Sequence, residues 1–192
     1  MSMKLSQSLT VDAFLAWERR QQLRYEFDGD RIVAMTGGTV NHAAIMDNVA
    51  YALRRRLKAP CRAFTSNPKI LTAGSVRYPD AVVTCSPVAG TSDILPSPVV
   101  VFEVLSSSTA TATASVDRVT KNEEYRATQS IQRYIMLEQT RIAATVFARA
   151  GESWIGMVAT GDAVLAMPEI GVELPLMELY ADVELPPPDT DD

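Results

Sequence analysis

The sequence predicts an α/β domain with a central mixed β-sheet flanked by helices, plus an N-terminal helix and β-hairpin and a β-hairpin toward the C-terminus. Three observations lead there. Helical patterning occupies residues 10–22, about 39–58 and 117–128, while short β-branched runs punctuated by Gly and Pro fill the stretches between. At 192 residues and 47% hydrophobic content, the chain is sized for one core. Two of the apolar runs also contain an acid, Asp80 and Glu103, where a strand should be buried.

Thr10 is placed to cap the first helix, with Asp12 at its positive end and Val11, Phe14, Leu15 and Trp17 as its apolar stripe. Residues 24–27 and 31–35 flank Asp28-Gly29-Asp30 and read as a hairpin, because Gly supplies the positive φ of a tight turn. Glu26 on its first strand is expected to pair with Arg31 or Arg24. Gly37-Gly38 ends the hairpin, and Thr39 or Asn41 caps a helix whose core face is Ile45, Met46, Val49, Ala50, Leu53 and Leu57. Arg54, Arg55, Arg56 and Lys58 crowd its last turn, either as a solvated face suited to the negative end of the macrodipole or as a phosphate-contacting patch. His42, the only histidine, falls at helical steps from Ile45 and Met46 and reads as a hydrogen-bonded structural residue at the core edge.

Pro60 stops that helix. Strands follow at residues 61–65, 69–72 and 78–85, with a turn at Gly74-Ser75; residues 86–98 are a Pro-rich loop, and a strand returns at 99–105. Residues 106–113 are small and polar. The helix after them lines up Asp117, Lys121 and Tyr125 on one side, giving either an exposed ion pair or a lysine aimed back at the carboxylates. A strand at 133–137, an antiparallel pair at 144–148 and 154–158, and a short strand with a capping turn within 170–180 complete the domain. The expected division is one domain over residues 1–183 and an acidic, Pro-rich disordered tail over 184–192.

A buried carboxylate must be protonated, paired or coordinated, because desolvating a lone charge costs more than any single apolar contact returns. Asp80 follows Pro79 and either starts its strand with its head in water or turns inward. Glu103 has Val101 and Leu105 on its own face, a setting that favours a functional role. Two acids on adjacent or near-adjacent strands point to a metal, although the intervening loop hides the register that would place them on one face.

The net charge of -5 argues against general nucleic-acid affinity. Five acids and no Lys or Arg lie in the last twelve residues, however, which leaves residues 1–180 formally neutral. Cys61 and Cys85 lack the spacing of a zinc or redox motif and read as buried thiols of a reducing compartment. The N-terminal stretch is amphipathic rather than continuously apolar, and no segment reaches the length of a membrane span, so a cytoplasmic protein is expected.

The order helix, three strands, helix, strand, with acids on the second and third strands, resembles the core of the PD-(D/E)XK nuclease superfamily. More narrowly, YEFDGDRIVAM, GGTVNHAAIMDNVAYALRRRL, YPDAVVTC, VVVFEVLSSST and the D-x-x-x-K-x-x-x-Y spacing from Asp117 are similar to the Uma family of restriction-endonuclease-like proteins, over roughly residues 10–150. The resemblance implies a restriction-endonuclease-like αβββαβ core and a Mg²⁺- or Mn²⁺-dependent endonuclease acting on DNA. It assigns Asp80 and Glu103 as metal-binding catalytic carboxylates, Lys121 as a catalytic lysine moved onto the following helix, and Glu26 as an accessory acid near the metal. Leu105 stands at the superfamily's usual lysine position, a departure the Uma family shares. Ser107 stands where a proline is usual, and the polar stretch before Asp117 is one helical turn longer. Fold alone does not fix function. One alternative is a non-catalytic nucleic-acid-binding or regulatory homo-oligomer; another is a structural homo-oligomer with both acids paired to Arg or Lys. Self-association as a homodimer is expected.

Overall fold

The structure, a computed structural model, describes residues 2–4, 9–35, 37–105 and 112–187, with side chains at 2–4 and 112–117 left aside. Ser107, the polar stretch at 106–111, the Asp117 side chain and tail residues 188–192 lie outside that description.

In chain order the first half comprises β1 (Ser2–Lys4), α1 (Val11–Glu18), β2 (Tyr25–Phe27), β3 (Arg31–Ala34), α2 (Val40–Arg56), β4 (Arg62–Thr65), β5 (Ile70–Leu71) and β6 (Val76–Arg77). The second half comprises β7 (Ala81–Thr84), β8 (Pro98–Val104), α3 (Ala112–Ala127), β9 (Arg133–Leu137), β10 (Ala143–Ala150), β11 (Ser153–Thr160), β12 (Val164–Met167) and β13 (Val172–Pro175). Among the described residues six strands make the central sheet, in the order β11-β10-β9-β8-β7-β4. All neighbours are antiparallel except β8 and β9, whose parallel pairing requires the crossover that α3 provides. The elements α2, β4, β7, β8, α3 and β9 give the expected αβββαβ order.

Both faces of this sheet are covered, which accounts for the near-continuous apolar runs of β8 and β9. On one face Ile45, Val49 and Leu53 of α2 pack against Val83, Val100, Phe102 and Ile135, and Leu165, Leu174 and Leu179 close the layer. On the other, Tyr125 of α3 meets Val82, Val101 and Tyr134, with Ile70 and Leu95 beside them. Thr10 and Thr39 each cap their helix: Ala13 N–H donates to Thr10 Oγ1 at 3.2 Å and His42 N–H to Thr39 Oγ1 at 3.1 Å.

A second sheet, β1-β3-β2-β6-β5, sits under α1, where Phe14 and Leu15 pack on Phe27, Ile32 and Val76. Here the structure corrects the expected strand at 78–85. The β5–β6 hairpin turns at Gly74, with φ +90°, and joins the small sheet, whereas β7 begins only at Ala81. Tyr78-Pro79-Asp80 carries the chain from one sheet to the other. Pro79 has no N–H to give a ladder, so the break falls where the sequence can least sustain pairing.

The two cysteines are also corrected. Cys61 and Cys85 are joined by a disulfide, with Sγ atoms 2.00 Å apart. They face each other one step beyond the Arg62–Thr84 pair of β4 and β7, and the bond removes the thiol argument for a reducing compartment. No helix among the described residues is long and apolar enough to cross a membrane. The start of the tail meets the body, where Asn41 Nδ2 donates to Glu184 O at 2.7 Å and Leu185 packs against the core.

Candidate functional site

Strand register brings the two acids together. Ala81 pairs with Phe102 and Val82 with Val101, so the next step places Asp80 beside Glu103. Counted in twos from Val82 and Val101, both acids lie on the face that packs against α3. Val104 N–H donates to Asp80 Oδ2 at 2.7 Å, and His42 Nε2 lies 3.2 Å from the same oxygen. Glu103 Oε1 accepts from the Tyr125 hydroxyl at 2.7 Å and lies 3.8 Å from Lys121 Nζ. Lys121 and Tyr125, one helical turn apart, therefore face the sheet, and the lysine is the one aimed back at the carboxylates.

Glu26 does not pair as expected. Arg31 turns to Asp28 at 2.8 Å, and Arg24 donates to Ser66 O and Asn67 Oδ1. Glu26 instead accepts from Tyr78 N–H at 3.1 Å, lies 3.2 Å from Arg77 Nη1, and stands 3.1 Å from Lys121 Nζ. Arg77, only 1% exposed, donates to Glu124 through Nε at 2.7 Å and Nη2 at 2.8 Å. Ser75 Oγ donates to the same carboxylate at 2.8 Å.

Burial and crowding set the charges. Burial pushes the Glu103 carboxyl up to about 7; Lys121 and the Tyr125 hydrogen bond oppose the rise, while the charges of Asp80 and Glu26 add to it. Burial acts to raise Glu26 too, but Lys121, Arg77 and the Tyr78 N–H outweigh it and hold that carboxyl below its usual range. The hydrogen bond to Asp80 raises the His42 imidazole against the opposing effect of burial. Tyr125 is raised well above the ordinary phenol value by burial and by Glu103 beside it. Asp80 and Glu103 thus each have one oxygen engaged by a named donor, the Val104 N–H and the Tyr125 hydroxyl. These two carboxylates could each offer an oxygen to a hard cation. Among the described residues no group of three His, Cys, Asp or Glu side chains is arranged to hold a metal ion by itself.

The sequence profile of the Uma2 family, described as "Putative restriction endonuclease", matches residues 11–177, most of the chain. The chain belongs to the Uma2 family. It is similar to an uncharacterized protein of Synechocystis sp., 27% identical over an alignment of 177 residues that covers 90% of this chain and 91% of that one. In fold it is similar to a crystal structure from Anabaena variabilis ATCC 29413, described as "a putative nuclease belonging to DUF820". The TM-score is 0.66 at 19% identity, covering 90% of this chain and 98% of that one. The fold is restriction-endonuclease-like, as the sequence predicted.

In this Uma2 chain the structure gathers Glu26, Asp80, Glu103 and Lys121 into one cluster. Sequence reasoning missed Arg77, which binds Glu26, and Glu124, which binds Arg77, and it put His42 at the core edge without its Asp80 partner. The one signal for Glu124 was its spacing, three residues past Lys121 and next to Tyr125 on the same helical side. Arg77 had none, since a strand-end arginine is ordinarily solvated.

Proposed function

We propose that the chain is a Mg²⁺- or Mn²⁺-dependent endonuclease that hydrolyses phosphodiester bonds of DNA. In this reading Asp80 and Glu103 are the metal-holding carboxylates, Lys121 the catalytic lysine and Glu26 the accessory acid. The observation that carries it is the crowding of acid on one sheet face. With Glu103 pushed up to about 7 beside Asp80 and Glu26, a hard dication is the counter-charge the cluster lacks. The donor set fits, because Mg²⁺ takes one or two carboxylates and fills its other positions with water. When bound, such a cation lowers the pKa of a water and offsets charge on the phosphate.

The chain's own residues do the rest. The Tyr125 hydroxyl and the Val104 N–H each hold one carboxylate oxygen and so fix the rotation of Glu103 and Asp80. Glu26, kept ionised by Arg77, Lys121 and the Tyr78 N–H, holds the Lys121 ammonium 3.1 Å away at the edge of the acid pair. There the ammonium stabilises the negative charge that develops on a phosphodiester as it is attacked.

A second reading, a non-catalytic nucleic-acid-binding or regulatory homo-oligomer, has its own support: His42 already supplies partial counter-charge to Asp80. Calorimetric titration of Mg²⁺ or Mn²⁺ into wild type and an Asp80→Ala, Glu103→Ala double variant, with plasmid cleavage on the same samples, separates the two. The nuclease requires metal binding that the variant loses, nicking that needs the metal, and loss of nicking with retained metal binding in Lys121→Ala. Binding without cleavage leaves the regulatory reading. The same proposal includes a homodimer, supported by β11, a strand of eight residues that lacks Pro and any charged side chain and is, among the described residues, at a sheet edge.

A further inference from the structure

A cleft of about 530 Å³ opens beside the charged cluster, between β4, residues 67–69, Tyr78 and the loop at 88–95. It shares a sheet face with the acids. Phe64 pairs with Val82 and Val82 with Val101, while Asp80 and Glu103 stand two residues further along, about 7 Å by the rise of a strand. Tyr78 links the two places: it lines the cleft, and its N–H donates to Glu26 Oε1 at 3.1 Å.

The loop wall is fastened down. Lys69 N–H donates to Asp93 O and Leu95 N–H to Lys69 O, both at 2.9 Å, and Lys69 Nζ lies between Glu18 at 2.7 Å and Asp93 at 3.1 Å. Lys69 is thus answered by Glu18 and Asp93, and the cleft's positive lining comes from Arg24 and Arg62, in a chain whose net charge is -5. The exposed Arg62 guanidinium lies over the Phe64 ring, 4.9 Å from its centroid, and among the described residues no carboxylate pairs with it. Arg54 and Arg62 also line a neighbouring cleft of about 290 Å³ at the end of α2, so positive charge continues along the β4 edge.

We propose that this cleft receives one unpaired nucleotide, its base against Phe64 and its phosphate on Arg62 and Arg24. The inference rests on the reading of the chain as a protein that acts on nucleic acid. The volume suits a single nucleotide, an aromatic ring with an arginine is a general platform for a base, and a guanidinium matches phosphate geometry. A base stacked inside a duplex does not reach such a cleft, so the nucleotide comes from a single strand or is turned out of a helix.

The test uses the full-length protein in EDTA at low salt. One probe is a single-stranded DNA carrying 2-aminopurine; the other is a duplex with 2-aminopurine opposite an abasic site. Wild type should bind and quench the fluorophore. Quenching with the first probe alone assigns the nucleotide to single strands, and quenching with both adds extrusion from a duplex. Arg62→Glu, at an exposed position, should weaken binding by about tenfold or more, and Phe64→Leu should lose the quench, both with unchanged circular dichroism. No binding of either probe by wild type overturns the cleft, as do binding and quenching indifferent to both changes; plasmid cleavage scored separately would still stand in those cases. Variant-sensitive quenching in a protein that never cuts DNA keeps the cleft and removes the nuclease.

Discussion

Glu103 makes the protein's stability depend on pH in a direction that can be worked out. Its folded value of about 7 lies above its ordinary 4.5, so the folded state keeps a proton the unfolded chain has lost. That contribution is whole below pH 4.5 and gone as the pH rises through about 7. The raised His42 acts in the same sense, present below its ordinary 6.5 and lost as pH rises through its folded value. Glu26 is opposite, stabilising above its ordinary 4.5 and failing as pH falls through its lowered value. Urea unfolding in EDTA should therefore show Glu103→Gln more stable than wild type at about pH 8, by on the order of 3 kcal/mol, with little difference at about pH 5. An equal effect at both pH values would refute the assignment. Arg77 is the converse case. Arg77→Met strands Glu26 and Glu124 without their shared buried cation, at a cost of about 3–5 kcal/mol by the same measurement; a loss under about 1 kcal/mol would mean the three do not act as a unit.

At the level of elements, α2 joins packing to the candidate site through its first turn. Thr39 caps it by accepting from the His42 N–H, and the His42 ring then meets Asp80. Thr39→Ala should cost about 1 kcal/mol in thermal unfolding and lower the His42 pKa measured by NMR toward its ordinary value, while Thr39→Ser restores both. An unmoved His42 titration would separate the cap from the site. Elements whose pattern was long or sharply punctuated were legible: the limits of β9 were read as they stand, and the core face of α2 was clear from Ile45, Val49 and Leu53, while its cap, open between Thr39 and Asn41, is Thr39. The stretch after Pro68 was legible only in part: the strand at 69–72 and its turn at Gly74 stand as β5 and the hairpin bend, but β6, two residues long, carries no period to count. β12 was readable in principle, since Leu165 and Met167 are buried and alternate with exposed Val164 and Ala166, but four residues after a turn gave too short a pattern.

For the molecule as a whole, the open question is what meets β11. Ile155, Met157 and Val158 are 55%, 50% and 70% exposed on a strand that, among the described residues, has one unpaired edge. Antiparallel pairing with the same strand of a second copy would continue the sheet through a twofold axis. Wild type should sediment as a dimer and Met157→Lys as a monomer of unchanged fold, since a charged side chain on an edge opposes pairing; a monomeric wild type would end the proposal. The candidate site is legible only in part at this scale. Asp80, Glu103 and Lys121 could be named from residue type and family pattern, but their meeting depends on register across the loop at 86–97. The Glu26–Arg77 contact joins positions 51 residues apart in different hairpins, and no local pattern encodes that.

That two-sheet junction also bears on synthesis. A chain emerging from the ribosome displays Glu26 first, then Asp80 and Glu103, and β8 stays without its parallel neighbour until α3 has crossed back to deliver β9. Lys121 and Tyr125 arrive only with that crossover. No nascent or truncated chain ending before α3 holds the charged cluster together, so the cluster is confined to chains that extend past α3.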